Sequence, residues 1–294
     1  MKKLKQLFLS TVFFTTTTVC ANAQQDSTGL PGDNFSLQGA LEIFKQASSP
    51  EEFEKLINSA DKNVNNLDLN EDGEIDYIKV IDRTENNVHA FVLQATVSET
   101  ESQDIAVIEL EKTGDTTAVL QIVGDEDIFG EQIIVEASDE GDEVADDNNG
   151  PGRGPSAGFI EPYRIVVNVF YWPSVRFVYR PVYVPWVSPW RWRHYPGWWR
   201  PWRPLAWRVY HPRVFVYHRH CAVVRTHRVV MAHRVYAPHR VASFTVRIRT
   251  TVVRNNYRVN RTTRRTEVNG RRGNNNGDGE GNKKGKGKGK GRRG

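Results

Sequence analysis

The acidic and the basic residues of this chain are separated along its length. Residues 24–150 carry 31 Asp and Glu against 6 Lys and Arg, whereas residues 151–294 carry 4 against 31. The two halves therefore have net charges of −25 and +27, which the formal net charge of +5 conceals. Such asymmetry indicates contact with a polyanion or a membrane. The alternative is that the two halves neutralise each other, within one molecule or between two molecules.

The first 23 residues have the three parts of an export signal. Three lysines precede a short apolar core at residues 7–14, and Ala21-Asn22-Ala23 forms a cleavage site. Cleavage there removes Cys20 and leaves Cys221 as the one thiol, either free or in an intermolecular disulfide. No later stretch has the roughly 18 uninterrupted apolar residues of a membrane span. We therefore expect an exported protein of the periplasm, the outer surface or the extracellular space.

Residues 24–35 are predicted to be a flexible segment. Residues 36–137 follow it, and the spacing of their apolar residues predicts an α+β domain. Apolar residues at 37, 40, 41 and 44 predict a first helix. Ser49-Pro50-Glu51-Glu52 predicts the N-cap and first turn of a second helix. Short polar breaks favour an antiparallel β-meander, with the two short helices packed on one of its faces. Alternating apolar residues place its five strands at 77–83, 88–97, 105–111, 118–123 and 132–136.

The stretch from Asp68 to Asp76 joins the predicted helices to the first strand and has the spacing of a calcium-binding loop. Ca²⁺ takes oxygen ligands, which a short loop supplies from alternate positions around a glycine at its sharp turn. Here Gly73 occupies the turn. The alternative is an acidic turn that binds no ion, because Asn, Asp and Gly favour turns in any case. The ligand positions fall on Asp68, Asn70, Asp72, Asp76 and, through its backbone carbonyl, Glu74.

The sequence Asp68-Leu69-Asn70-Glu71-Asp72-Gly73-Glu74-Ile75-Asp76 resembles the D-x-[DN]-x-D-G-x-x-D loops of integrin-α-type FG-GAP repeats, which run into a β-strand. It is less similar to a dockerin or EF-hand loop, because position twelve holds Lys79 where an EF-hand has a bidentate Glu. The resemblance implies Ca²⁺ as a cofactor, and a single copy implies no propeller. Lys79 and the missing bidentate ligand indicate modest affinity, with a dissociation constant of roughly 10⁻⁴–10⁻³ M. In layout the whole chain is similar to uncharacterised exported proteins of Gram-negative bacteria, a likeness that implies no activity.

The basic half begins after a linker rich in Gly, Pro and acidic residues, predicted at 138–158. Residues 159–266 form a basic region that holds all eight tryptophans. Residues 267–294 form a tail of Gly, Lys and Arg that we expect to be disordered. Prolines among the tryptophans disfavour helix, so the basic region is predicted to be β or irregular. Within it we expect a β-hairpin in 163–184 and a last strand pair in 247–265.

Tryptophan and arginine alternate closely in this region, which resembles Trp-, Arg- and Pro-rich antimicrobial peptides in composition. The Arg guanidinium binds phosphate or carboxylate and stacks on aromatic rings, while Trp suits a boundary between water and an apolar phase. The expected partners are anionic lipid, lipopolysaccharide, polysaccharide or extracellular nucleic acid. The alternative is that Arg–Trp contacts stabilise the region's own fold. The predicted contact residues are Trp190, Arg191, Trp192, Arg193, Trp198, Trp199, Arg200, Trp202 and Arg203.

A His-Arg-Val triplet recurs three times in the basic half, beginning at His227, His233 and His239. Histidine-rich tracts can bind metals, but the arginine beside each histidine would repel a cation. We therefore favour a cationic surface whose charge increases as the pH falls toward about 6.

No nucleophile, carboxylate pair or phosphate-binding loop is evident, so the sequence favours a non-enzymatic protein. The leading hypothesis is an exported calcium-binding adhesion or envelope protein whose basic half binds anionic surfaces or polymers. The alternative is a self-assembling structural module, in which the acidic half of one chain associates with the basic half of another. Cys221 would then link the two chains of a homo-oligomer.

Overall fold

A six-stranded antiparallel sheet, in which each strand pairs with the next along the chain, organises the fold. The computed structural model describes residues 27–138 and 166–275, with side chains as far as residue 263. The export signal, the linker beyond residue 138 and the tail from residue 276 lie outside the described residues. The strands are β1 (Ile78–Glu85), β2 (Val88–Thr96), β3 (Ser102–Gly114), β4 (Thr117–Gly124), β5 (Ile133–Ala137) and β6 (Cys221–Val224).

Helices precede the sheet and follow it. As predicted, the Ser49 hydroxyl caps the second helix by accepting from the Glu52 N–H at 3.1 Å, and Pro50 occupies the first helical position. Within the described ranges no helix is both long and apolar enough to cross a membrane. The helices are α1 (Leu37–Gln46), α2 (Pro50–Ile57), α3 (Glu126–Phe129), α4 (Pro173–Val178), α5 (Trp207–Val214), α6 (Val230–Tyr236) and α7 (Phe244–Asn275).

The predicted α+β architecture is confirmed. The five strands expected in the acidic half correspond to β1–β5, and α1 and α2 pack on one face of the sheet. Three buried rings join these layers: the centroid of Phe44 in α1 lies 5.2 Å from that of Phe53 in α2 and 5.1 Å from that of Phe91 in β2. Truncating any one of them to Ala would cost roughly 3–5 kcal/mol of stability.

The opposite face of the sheet has a smaller apolar core. Val92, Val107 and Val123 lie on it and pack with Tyr236 of α6. The same face buries polar groups, among them Glu109. A buried carboxyl group requires hydrogen-bond partners, and on this face the partners come from the basic half of the chain.

The sixth strand of the sheet belongs to the basic half. β6 pairs with β5, so that Val224 lies opposite Ile134 and Cys221 lies opposite Ala137. The acidic and basic halves therefore share one sheet. The sequence pattern did not predict this pairing, because residues 221–224 form a run too short to distinguish from a loop.

Two local predictions in the basic half are wrong. Where a hairpin was expected within 163–184, α4 begins at Pro173, because proline suits the first position of a helix. Where a strand pair was expected within 247–265, the chain is part of α7, which continues to Asn275 and so into the segment predicted as a disordered tail. Thr and Val favour strands, but α7 buries Val246 and Thr250 four residues apart, and this packing overrides the local preference.

Candidate functional site

The side chains of the predicted calcium-binding loop turn inward onto the loop's own backbone. Asp68 accepts hydrogen bonds from the N–H groups of Asp72 and Gly73, at 3.1 and 2.9 Å. Asn70 Oδ1 also accepts from the Asp72 N–H, and Asp72 Oδ1 accepts from the Glu74 N–H, both at 2.9 Å. Gly73 has a φ of +83°, a conformation that favours glycine. The fold thus gathers the first three predicted ligand side chains around one turn.

Asp76 closes this loop from the buried side. It is 6% exposed, and its Oδ2 atom accepts one hydrogen bond, from the Leu69 N–H at 2.6 Å. Burial, together with the charges of Asp68 and Asp72, raises the pKa of the Asp76 carboxyl group to about 7. Negative charge is therefore concentrated where Asp76 meets Asp68 and Asp72, at the buried side of the loop. The predicted donor set consists of oxygen atoms alone, which is the donor type that Ca²⁺ takes.

Two basic residues, Arg249 and Lys79, belong to or contact the predicted twelve-position loop. Arg249 of α7 lies 3.7 Å from the Glu71 carboxylate. Lys79, at position twelve, is half-buried; burial lowers the pKa of its amino group, while the charges of Glu54 and Asp104 raise it. Within residues 27–138 and 166–263, neither cation forms an ion pair with the carboxylates of the predicted ligands.

The loop packs directly against residues 186–205, which we call the Trp/Arg segment. The Ile75 N–H, inside the loop, donates to the Trp202 carbonyl at 2.8 Å. The ring of Tyr77 lies beside three rings of the segment, with centroid distances of 5.7 Å to Tyr195, 6.4 Å to Trp198 and 5.1 Å to Trp199. The two sites predicted separately from the sequence are therefore neighbours in the fold.

The tryptophans of the segment are more buried than its arginines. Trp199 is 4% exposed, whereas Trp198 is 48% exposed. Trp190, Trp192 and Trp202 are half-buried. The buried ring of Trp199 therefore attaches the segment to the fold, together with the half-buried rings.

Four arginines of the segment face solvent, and we call them the four exposed arginines: Arg191, Arg193, Arg200 and Arg203. Among the described residues none of them forms an ion pair with a carboxylate. Arg200 donates to the carbonyl of Trp199 at 2.7 Å, and the Arg193 guanidinium lies 5.6 Å from the Trp192 ring centroid. Their charge is therefore available to an external anion.

Other basic residues pair with the acidic half of the same chain. Arg240 donates to Asp125 at 2.6 Å and to Asp127 at 2.7 Å, and Arg228 donates to Glu136 at 3.0 Å. Burial raises the pKa of the Asp125 carboxyl group to about 6, while Arg240 acts to lower it. Part of the charge division in the sequence is thus neutralised within one molecule.

Glu54 of α2 anchors the Trp/Arg segment, a role that the sequence did not reveal. Its carboxyl group accepts from the Tyr77 hydroxyl at 2.8 Å, the Trp186 indole N–H at 3.0 Å, the Ser188 hydroxyl at 2.8 Å and the Val80 N–H at 2.9 Å. Burial raises the pKa of this carboxyl group, and the four hydrogen bonds lower it. The only signal in the sequence is a carboxylate on the apolar side of a helix.

The His-Arg-Val triplets have different surroundings. The side chains of His227 and His233 contact the buried carboxyl group of Glu109, whereas His239 is exposed. The triplets therefore do not form one continuous cationic surface.

Cys221 is buried at the start of β6, and its thiol lies 3.8 Å from the Gln38 carbonyl. An intermolecular disulfide at this position would require β6 to move away from the core.

Comparisons of the chain with protein-family models, with curated proteins and with solved structures found no match.

Proposed function

We propose that this chain is a non-enzymatic, exported calcium-binding protein that adheres to anionic surfaces or polymers through its four exposed arginines. The observation that carries the proposal is the 2.8 Å hydrogen bond from the Ile75 N–H in the loop to the Trp202 carbonyl in the Trp/Arg segment. This bond joins the predicted ion-binding loop to the predicted adhesive surface. A change in how well the loop is ordered would therefore change the position of the Trp/Arg segment.

Asp68, Asp72 and Asp76 would hold the Ca²⁺ ion, whose positive charge would offset the negative charge that these side chains concentrate. These side chains then hold the loop backbone in one conformation, and Ile75 lies within that backbone. Ile75 in turn positions Trp202, which is adjacent to Arg203 in sequence. We therefore expect the segment to be more ordered, and adhesion to be stronger, when calcium is present.

The charge and chemistry of the segment favour an anionic partner. A guanidinium group binds phosphate or carboxylate through two parallel hydrogen bonds, and the four exposed arginines have no competing acidic partner among the described residues. Trp198 adds a half-exposed ring suited to the boundary between headgroups and acyl chains. Anionic lipid, lipopolysaccharide, acidic polysaccharide and extracellular nucleic acid all present such groups.

The test is sedimentation of the full chain with anionic vesicles, neutral vesicles and duplex DNA, in roughly 1 mM Ca²⁺ or in chelator. We expect binding to anionic vesicles or DNA that is weaker in chelator and weaker at high salt, because salt screens exposed charges. Replacing the four exposed arginines with glutamine should remove this binding.

The matched control removes the same charge from elsewhere on the surface. A second variant replaces four other exposed arginines with glutamine: Arg176, Arg180, Arg219 and Arg234. This variant should keep most of the binding. Equal losses in both variants would show that net charge alone, rather than the Trp/Arg segment, accounts for adhesion. Absence of binding to every anion would refute the proposal.

The self-assembling module, with a homo-oligomer held by pairing between acidic and basic halves, remains a separate prediction. The pairs of Arg240 with Asp125 and of Arg228 with Glu136 form within one chain, so assembly of this kind requires them to open. Light scattering across a salt series distinguishes the two hypotheses, because such an assembly dissociates at high ionic strength.

A further inference from the structure

Three metal-ligating side chains meet on the sheet face opposite α1 and α2. Glu109 lies at the centre of the sheet, paired with Ala90 of β2 and Gln121 of β4, and its side chain is fully buried. His233 reaches it from α6, and His227 reaches it from the loop that precedes α6. The cluster therefore joins the acidic half to the basic half.

Each oxygen of the Glu109 carboxyl group meets one imidazole ring. Oε1 lies 2.7 Å from Nδ1 of His233, and Oε2 contacts Nε2 of His227. One ligand atom from each residue lies within 4.8 Å of the other two. The imidazole rings are inclined by 70° with centroids 4.6 Å apart, so their nitrogen atoms approach the carboxyl group from different directions.

The two nitrogen–oxygen contacts are hydrogen bonds, and a zinc ion would replace them by moving the partly exposed imidazole rings slightly away from the carboxyl group. Metal–ligand bonds of about 2.0–2.2 Å in a tetrahedral site place neighbouring ligand atoms roughly 3.5 Å apart. The two histidine side chains are 22% and 30% exposed. An ion can therefore enter from solvent, and water can occupy a fourth position.

The arginines beside these histidines do not oppose a cation as the sequence suggested. Arg228 is neutralised by Glu136, whose Oε1 lies 3.0 Å from its Nε atom. Arg234 is exposed, and its Nη1 contacts the Met231 sulfur at 3.7 Å. Among the described residues, the Glu109 carboxyl group has no hydrogen-bond partner other than the two histidines.

We infer that Glu109, His227 and His233 bind one divalent transition-metal ion of the zinc class. Two imidazole nitrogens and one carboxylate oxygen form a ligand set that zinc sites use, whereas Ca²⁺ takes oxygen ligands. The site is thus chemically distinct from the Asp68–Asp76 loop and does not depend on the proposed function. The ion fixes the start of the basic half's α6 against β3.

The test is titration of the full chain with Zn²⁺ alone, followed by competition with a chromogenic chelator, for wild type, His227→Gln, His233→Gln and His239→Gln. His239 belongs to the same repeat but lies outside the cluster, so its variant is the matched control. We expect the affinity for one Zn²⁺ ion to fall by at least about tenfold in His227→Gln and in His233→Gln, because the loss of even an outer-shell partner lowers metal affinity by that factor. Its affinity should be unchanged in His239→Gln.

Two further readouts separate ligation from folding. Wild-type protein loaded with Co²⁺ should show the visible absorption of a four-coordinate ion, and excess Ca²⁺ should not displace it. Far-UV circular dichroism of the zinc-free variants should match the wild type, since both histidines are partly exposed. Equal Zn²⁺ affinity in all four proteins, or a wild type that binds neither Zn²⁺ nor Co²⁺, would overturn the inference.

Discussion

Replacing Asp76 with asparagine should stabilise the calcium-free protein and, at the same time, abolish its response to calcium. Asparagine has nearly the same shape and keeps an oxygen that can accept from the Leu69 N–H. It removes the buried charge whose nearest charged neighbours are Asp68 and Asp72. The two effects have opposite signs, so they cannot both result from general damage to the loop.

The magnitude follows from the pKa of this carboxyl group. A value of about 7 in the folded chain, against 3.8 for an unperturbed Asp, makes the ionised Asp76 cost about 4 kcal/mol of stability at pH 8. Because the folded-state pKa is the higher one, the folded chain binds more protons than the unfolded chain between these values. Stability from this group therefore increases as the pH falls from 8 through 7, and levels off below about 4.

The assay is urea and thermal unfolding at pH 8, 7, 6 and 5, in chelator and in about 1 mM Ca²⁺. In chelator at pH 8, Asp76→Asn should melt roughly 10 °C above the wild type, at about 2–4 °C per kcal/mol for a chain of this size. The difference in melting temperature between Asp76→Asn and the wild type should become smaller as the pH falls toward 5. Calcium should raise the melting temperature of the wild type alone.

A matched control is Asp115→Asn, which neutralises an exposed Asp in the turn between β3 and β4. It should leave stability, its pH dependence and the calcium response close to those of the wild type. If Asp76→Asn is less stable than the wild type in chelator at pH 8, the argument from buried charge is wrong. If it still responds to calcium, the ligand assignment is wrong.

Three other predictions concern an ion pair, a buried thiol and a helix cap. Arg240→Gln should cost roughly 3 kcal/mol in urea unfolding at pH 8, because it leaves the buried Asp125 carboxylate without its guanidinium partner. That cost should decrease below pH 6, where Asp125, with a pKa of about 6, is protonated and needs no cation. Cys221 should react with a thiol reagent slowly in the native chain and quickly in urea, and fast native labelling would contradict its burial. Ser49→Ala should lower stability by about 1 kcal/mol through loss of the α2 cap, and no change would show that the cap is redundant.

Elements whose partners are close in sequence could be predicted. The five strands β1–β5 follow one another through short turns, so their alternating residues and their breaks carry enough information to place them. The same is true of α2, whose start is encoded within four residues from Ser49 to Glu52. The turn at Asp68–Asp76 is likewise a local pattern, and its hydrogen bonds remain within a few residues of Asp68.

Elements whose partners are remote could not be predicted. The bond between His227 and Glu109 spans 118 positions, and that between Trp186 and Glu54 spans 132. A helix such as α7, rich in Thr, Val and Arg, has a weak local preference that its contacts with Asp127 and Gly130 override. The packing of the Trp/Arg segment on the Asp68–Asp76 loop is missed for the same reason.

Because β6 completes a sheet whose fifth strand ends more than eighty residues earlier, the two halves are one cooperative unit despite the composition change between them. A protease that cuts the chain between residues 138 and 166 should release no independent domain. The fragments should instead copurify and melt together, and a nicked protein should come apart only under conditions that also unfold the uncut chain. Neither fragment, produced alone, should reproduce the native sheet, since each lacks a strand that the other supplies.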